Sequence, residues 1–300
     1  MTPLVSLDRV TRRFGDVVAV DDLSLDIDAG PVVGLLGPNG AGKSTVLSLI
    51  QGLRRPTSGS VRLFGGDPGD PARRRALGST PQETGLPATL TVGEVVDFVR
   101  RHYDDPIPVD ELADDFGLGG VLRKQTGSLS GGQRRRVAVA LAFVGRPRLV
   151  LLDEPTTGLD VDGRAALWDA VRRRHAAGST VVLTSHYLDE IEALAGRVIV
   201  VDHGRVLADD SLAGVLGRVG TRVVRLESPR LDAIAALPGV THVDRDAASG
   251  SAATLTVHDS DAFVATLVRS DLPFHDLAVR GASLEEAFLS LTREPRKEAA

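Results

Sequence analysis

The residues whose types and spacing are most suited to chemistry are Gly37-Pro38-Asn39-Gly40-Ala41-Gly42-Lys43-Ser44, which fit G-x-x-x-x-G-K-[ST] without a mismatch. Glycines in such a run let backbone N–H groups turn inward and cradle phosphates, an arrangement alanine would obstruct. Lys43 has the reach for β and γ phosphates, and the Ser44 hydroxyl can ligate Mg²⁺. Ser44 and Thr45 open an apolar helical pattern over residues 44–53, which offers its positive end to the same anion. The lysine is itself a signal. The basic residues are almost all arginine, and Lys43, Lys124 and Lys297 are the only lysines. A compact point charge has been placed where arginine would present a planar fork.

Two further groups carry chemistry. The apolar run 149–152 ends in Asp153 and Glu154. An acid at the carboxyl end of a parallel strand sits where ligands bind in such sheets. Asp153 suits Mg²⁺, usually through water, and Glu154 suits orienting or deprotonating an attacking water. Residues Ser130, Gly131, Gly132 and Gln133 precede a helical stretch, 134–144, with Val137, Ala138, Leu141 and Val144 on one face. They therefore open a helix, with a hydroxyl and free N–H groups available to an anion.

These groups need a frame, and the sequence supplies an alternating one. Residues 4–10, 17–20 and 23–27 alternate as strands do, and 31–36 is a short continuous apolar run that suits a buried central strand. Strand–helix alternation resumes at 149–152, 164–177, 180–184, the helix from Tyr187, and 197–201. That pattern argues for an α/β fold with a mainly parallel sheet covered on both faces, preceded by antiparallel N-terminal strands. Residues 90–145 read as a helical insert, with helices over 91–103 and 109–116. From about 218 the texture changes to β-α-β-β-α-β, the order of a small ferredoxin-like α+β domain, followed by a last helix with Ser283 and Glu286 at capping-box spacing. The expected division is therefore 1–218 and 219–300.

Bulk properties set outer limits. The net charge of −5 supplies no general basic field, so nucleic acid is not the expected partner, and the arginine triplets 73–75, 134–136 and 172–174 read as solvated helix faces. The absence of cysteine excludes disulfides, thiolate zinc and iron–sulfur ligation. No stretch approaches the length of a membrane span, and the N-terminus lacks a secretory h-region, which together make a cytosolic protein the expectation.

Over residues 4–215 the chain resembles the ATP-binding subunits of ABC transporters, with Leu129-Ser130-Gly131-Gly132-Gln133 as their signature and the other motifs in the family's order. The resemblance implies further roles. Gln82 matches the Q-loop that touches Mg²⁺ and the membrane partner, Asp160 the D-loop, and His186 the switch histidine at the γ-phosphate. Phe14 lies where the family places an aromatic, usually tyrosine, against adenine; phenylalanine keeps the stacking face and loses the hydroxyl. It also implies ATP and Mg²⁺ as ligands and a homodimer in which the signature of one subunit closes over nucleotide on the P-loop of the other. A separate membrane permease would dock around residues 82–100 on the cytoplasmic face. Residues 185–190 and 283–292 resemble bacterial drug- and antibiotic-exporter ATPases of the daunorubicin-resistance type, which implies export of a drug, antibiotic or lipid-like compound. The alternative is a non-transport ABC ATPase acting on ribosomes or DNA. Ribosomal members usually carry two such domains and DNA-maintenance members insert coiled coils or zinc motifs, and this sequence does neither.

Overall fold

Burial on both faces marks out the strands that build the centre of the first unit. A computed structural model describes residues 2–80, 85–217, 222–246, 250–281 and 283–293, which divide into two compact units, Met1–Leu212 and Ala213–Ala300. The sequence places its boundary at 218/219; the division falls earlier, and residues 218–221 lie outside the described residues.

The first unit runs β1 (Val5–Phe14), β2 (Val17–Ile27), β3 (Val33–Leu36), α1 (Lys43–Ile50), β4 (Ser58–Leu63), α2 (Pro71–Arg74) and β5 (Leu77–Ser79). The helices α3 (Val92–Arg100), α4 (Val109–Phe116) and α5 (Gly131–Phe143) follow, then β6 (Leu149–Asp153), α6 (Val161–Ala176), β7 (Thr180–Thr184), α7 (Leu188–Leu194), β8 (Arg197–Asp202) and β9 (Arg205–Ser211). Six strands form one sheet in the order β5-β6-β7-β3-β8-β9, parallel except for the β8–β9 pair. Every residue of β3, β6 and β7 is buried, as a parallel sheet covered on both faces requires. A second, antiparallel sheet has the order β2-β1-β4. Leu7, Val10 and Ile27 of that sheet share one core with Val46, Leu47 and Ile50 of α1 and with Leu35, Leu151 and Ile199 of the parallel sheet. The helix behind the glycine-rich loop is thus wedged into the main hydrophobic core, which fixes where the loop can sit.

The order β6-β7-β3 matters most for function. It sets the carboxyl ends of three neighbouring strands side by side, and the candidate residues leave from those ends. The helical insert is anchored locally: Thr91 and Glu94 form a reciprocal capping box at the start of α3.

In the second unit, α8 (Leu212–Gly217) leads into β10 (Arg222–Glu227), α9 (Leu231–Ala235), β11 (Val240–Arg245), β12 (Ala252–Val257), α10 (Ser260–Arg269), β13 (His275–Gly281) and α11 (Leu284–Arg293). The β-α-β-β-α-β order is the one expected from the sequence. All pairs are antiparallel in the order β11-β12-β10-β13, the two split crossovers of a ferredoxin-like sheet. Val224, Leu226, Ile234, Leu255, Phe263 and Leu267 form its own core.

Candidate active site

The loop after β3 can close tightly because two of its residues lack a side chain. At Gly42 φ is +102°, and a Cβ there would stand 2.3 Å from the Ala19 carbonyl oxygen; at Gly37 it would stand 2.2 Å from that of Val201. Only glycine fits either position. Pro38, Asn39 and Gly40 are exposed at the rim, Ala41 is buried, and Ser44 is exposed in the first turn of α1 with Thr45 half-buried behind it. Lys43 is 8 % exposed, and its Nζ donates to the carbonyls of Gly37 at 2.7 Å and Pro38 at 3.0 Å. Burial lowers the Lys43 pKa, and the nearby carboxylates of Glu154 and Asp153 act against that shift. The ammonium therefore lies inside the loop and close to both acids.

Those acids are held by the neighbouring strand. The Thr184 hydroxyl, at the end of β7, donates to Asp153 Oδ1 at 2.5 Å and accepts from the Glu154 N–H at 3.1 Å. The Glu154 N–H also reaches the Thr184 carbonyl at 3.1 Å, and the Asp153 N–H donates to Thr80 Oγ1 at 3.2 Å. Asp153 is buried, Glu154 half-buried. Glu154 adopts φ +49°, a left-handed conformation uncommon for a residue with a side chain. Its Oε2 lies 3.2 Å from Nδ1 of His186, the second residue beyond β7, and accepts from Thr157 Oγ1 at 3.3 Å.

The signature segment opens α5 as the spacing predicts. Ser130 Oγ accepts from the Gln133 N–H at 3.2 Å while Gln133 Oε1 accepts from the Ser130 N–H at 3.1 Å. The Gln133 side chain is thereby engaged in the cap. Gly131 borders a cleft of about 430 Å³ that Asp153, Glu154 and Thr157 also line. Gly132 packs on the loop after β6, where an added Cβ would stand 3.0 Å from Leu159 Cδ2. Asp160 caps α6 through Oδ1, which accepts from the Gly163 N–H at 2.9 Å. Phe14 is 36 % exposed, and its ring contacts are with the guanidinium groups of Arg12 and Arg54, at 4.6 and 4.9 Å from the centroid. Lys43, Asp153, Glu154 and His186 are therefore brought together, with Gly131 at their edge, while Phe14 and Asp160 have other neighbours. Gln82 lies outside the described residues.

The chain is similar to known proteins. A family described as "ABC transporter" matches residues 20–157. The daunorubicin/doxorubicin resistance ATP-binding protein DrrA of Streptomyces peucetius is 38 % identical over 98 % of this chain and 94 % of its own length. The Nod factor export ATP-binding protein I of Ralstonia nicotianae is 34 % identical over 98 % and 96 %. The chain belongs to the ATP-binding subunits of ABC transporters. Among solved structures, an ATP-binding subunit of an ABC transporter superposes with a TM-score of 0.66 at 27 % identity, covering 72 % of this chain and 93 % of its own. A dimeric ATP-binding cassette in a post-hydrolysis state, bound to ADP and Pi, superposes at 0.63 and 28 %, covering 69 % and 98 %.

As an ABC ATP-binding subunit the chain is an ATPase, and the alternative of a ribosomal or DNA-directed ATPase is not favoured by relatives named for resistance and export. Among the described residues no helix is long and apolar enough to cross a membrane. Two of the arginines expected on solvated faces are buried instead. Arg135 is 6 % exposed and donates to the backbone carbonyls of Asp153, Glu154 and Pro155. Arg174, also 6 % exposed, pairs with Glu111 and Asp115. Thr184, Thr80 and the fully buried Glu190 also escape a motif reading. Glu190 accepts from Thr156 Oγ1 at 3.0 Å and from Trp168 Nε1 at 3.3 Å, tying α6 and α7 to the turn after the acids that end β6. A threonine ending an apolar strand beside the one carrying the acids was a usable signal; Glu190 closes the segment 185–190, but nothing in its local spacing gave it a role.

Proposed function

We propose that this subunit hydrolyses ATP between two copies of itself, with Glu154 as the residue that activates water, and that the cycle drives an export permease made by a separate polypeptide. The reading is carried by the Glu154 carboxylate, set within 3.2 Å of His186 and near Lys43. The backbone N–H groups of residues 39–45 cradle the phosphates, and Lys43 exchanges its two loop carbonyls for β and γ oxygens. Water attacks the γ-phosphorus in line, its proton passes to Glu154, and the bond to the β-bridging oxygen breaks to release ADP and phosphate. Lys43 and His186 stabilise charge on the transferring group.

The residues present suit Mg²⁺. Among the described residues no cluster of three His, Cys, Asp or Glu side chains forms a cage, whereas Ser44 and Asp153 are hard oxygen donors of the kind Mg²⁺ takes alongside water and phosphate. Gln82 completes that set by resemblance. The ion would supply neutralisation of phosphate charge.

Each chain carries one P-loop and one signature, so Ser130, Gly131, Gly132 and Gln133 of one copy, with Asp160 beside them, would complete the site of the other, and Phe14 would stack on adenine. The dimeric state of the ADP-bound cassette supports this. The relatives named for daunorubicin and doxorubicin resistance and for Nod factor export support export of a drug, antibiotic or lipid-like compound, from a subunit held on the cytoplasmic face by its permease. Residues 1–218 would be the ATPase domain and 219–300 an accessory one.

Glu154→Gln tests the assignment. With ATP it should bind normally, turn over at least about a hundredfold slower, accumulate as a dimer on size-exclusion chromatography, and copurify with a polytopic membrane protein from its native cells. Wild-type turnover would remove Glu154 from the mechanism. Ribosomes or DNA in place of the membrane protein would leave the chemistry and overturn transport.

A further inference from the structure

Arg135 sits in the second turn of α5, the helix that Ser130 caps, and its guanidinium does not face solvent. It reaches the end of β6, where Nη2 donates to the carbonyls of Asp153 and Glu154, the latter at 2.8 Å, and Nε donates to that of Pro155 at 3.3 Å. Three successive carbonyls converge on one side chain. The guanidinium serves them from two separate nitrogens held in one plane, a geometry that the single nitrogen of an ammonium does not reproduce. The cation is also close to the carboxylates of Asp153, Glu154 and Glu190, which favour its charged form against the cost of burial.

These bonds hold a conformation that does not hold itself. With φ at +49°, Glu154 adopts a left-handed backbone conformation that is strained for a residue with a side chain, and such residues persist where their surroundings over-determine them. Thr184 grips the Glu154 N–H from β7, and Arg135 grips its carbonyl from α5. The direction of the Glu154 side chain is fixed between the two. The same α5 presents Ser130, Gly131 and Gly132 at its other end, locked to the helix by the Ser130–Gln133 cap. A displacement of that end is a displacement of Arg135.

We propose that Arg135 is a positioning residue that couples the two nucleotide sites of the dimer: when the signature end of α5 fits against ATP on the partner, Arg135 carries that fit to the backbone of Glu154 in its own site. This rests on the shared-site dimer proposed above. Signature and acid serve different nucleotides, and Arg135 is a direct hydrogen-bonded link from the signature helix to the acid's backbone within one chain.

The test uses the full-length chain and ATP, comparing wild type with Arg135→Lys. The lysine keeps the charge and loses the fork. The expected result is a KM for ATP within about twofold of wild type and a kcat lower by about tenfold to a hundredfold, since small misplacement of a catalytic group has costs of that size. The Hill coefficient should fall from above one to about one. In a Glu154→Gln background the lysine variant should still form the ATP-bound dimer, because the signature keeps its own contacts. Unchanged kcat and Hill coefficient would overturn the coupling, even if the melting temperature falls, because that is the pattern of a purely structural cation. Loss of the ATP-bound dimer would also overturn it, by assigning Arg135 to closure itself. A wild type that neither dimerises with ATP nor shows cooperativity would overturn it together with the shared-site reading, which tells the two failures apart. Arg135→Gln, judged by the same outcomes, replaces the lysine variant if circular dichroism shows the latter unfolded.

Discussion

At the scale of single residues the site depends on side chains that touch no phosphate. The Thr184 hydroxyl orients both acids, and Glu190, 0 % exposed, receives hydrogen bonds from Thr156 in the loop that follows them and from Trp168 on α6. Burial raises the Glu190 pKa above its ordinary value near 4.5, more than hydrogen bonds from Ser185, Thr156 and Trp168 lower it. The native state therefore holds this proton more tightly than the unfolded chain. The resulting stabilisation is fully present below the unfolded value and is lost as pH rises through the native one. Glutamine cannot ionise, so Glu190→Gln removes the dependence. As pH rises above the ordinary value near 4.5, the melting temperature of wild type should fall relative to that of the variant. A difference between the two that does not vary with pH would show that Glu190 ionises as an ordinary carboxyl. Residues of this kind have no motif: their importance comes from burial and partners distant in sequence, and neither is written in local spacing.

At the scale of elements, arginine fastens the helical insert to the core domain. Arg174 on α6 donates to Glu111 at 2.9 Å and pairs with Asp115, while Arg173 donates to the Asp115 side chain at 3.0 Å and to its carbonyl at 2.7 Å. Arg174 and Asp115 are largely shielded from water, so removing the cation leaves a carboxylate with much of its desolvation cost and less compensation. Glu111 is 43 % exposed and screened, which reduces the loss. Arg174→Ala should destabilise by about 2–3 kcal/mol in urea unfolding; a loss below about 0.5 kcal/mol would class the contact with ordinary surface pairs. Reading 172–174 and 134–136 as solvated failed for a geometric reason. Consecutive helical residues are rotated by about 100°, so three in a row cannot share one exposed face on a helix packed on several sides. What the sequence made legible were the elements with an unambiguous burial pattern: β3, β6 and β7, buried throughout, and the strand–loop–helix context of Lys43. Among the strands that escaped, β4 buries only Leu63, β5 has three residues, and β9 lies at the sheet edge with Ala208 as its buried residue. Edge strands half in water lack an apolar run, and their pairing is decided by partners far along the chain. The acids and lysine of the site were legible because phosphate chemistry restricts the residue types, and the histidine through the family resemblance; the Arg135 contacts that orient the acids were not, because many side chains could donate there.

At the scale of the whole chain, each unit has a core of its own. Leu7, Leu47, Leu151 and Ile199 belong to one buried cluster, and Val224, Leu255, Phe263 and Leu267 to another. Lys43, Asp153, Glu154 and His186, with the hydrogen-bond partners named for them, belong to the first unit. A chain cut to residues 1–218 therefore keeps the core that wedges α1 behind the phosphate loop, and it should bind ATP within about twofold of the full-length affinity, since local contacts that are retained contribute unchanged. The second unit has a complete four-stranded sheet and covering helices, more structure than a tail needs, and relatives align with this chain over nearly its whole length, through that unit. Such a unit is expected to act in assembly with the permease or in control of the dimer rather than in nucleotide chemistry. The truncated chain, combined with its permease in membrane vesicles, should then lose most ATP-driven transport while a fluorescent nucleotide analogue still titrates its site. Undiminished transport would make the second unit dispensable. Loss of nucleotide binding would mean instead that the first core is not self-sufficient, and that the fold of the ATPase depends on the residues that follow it.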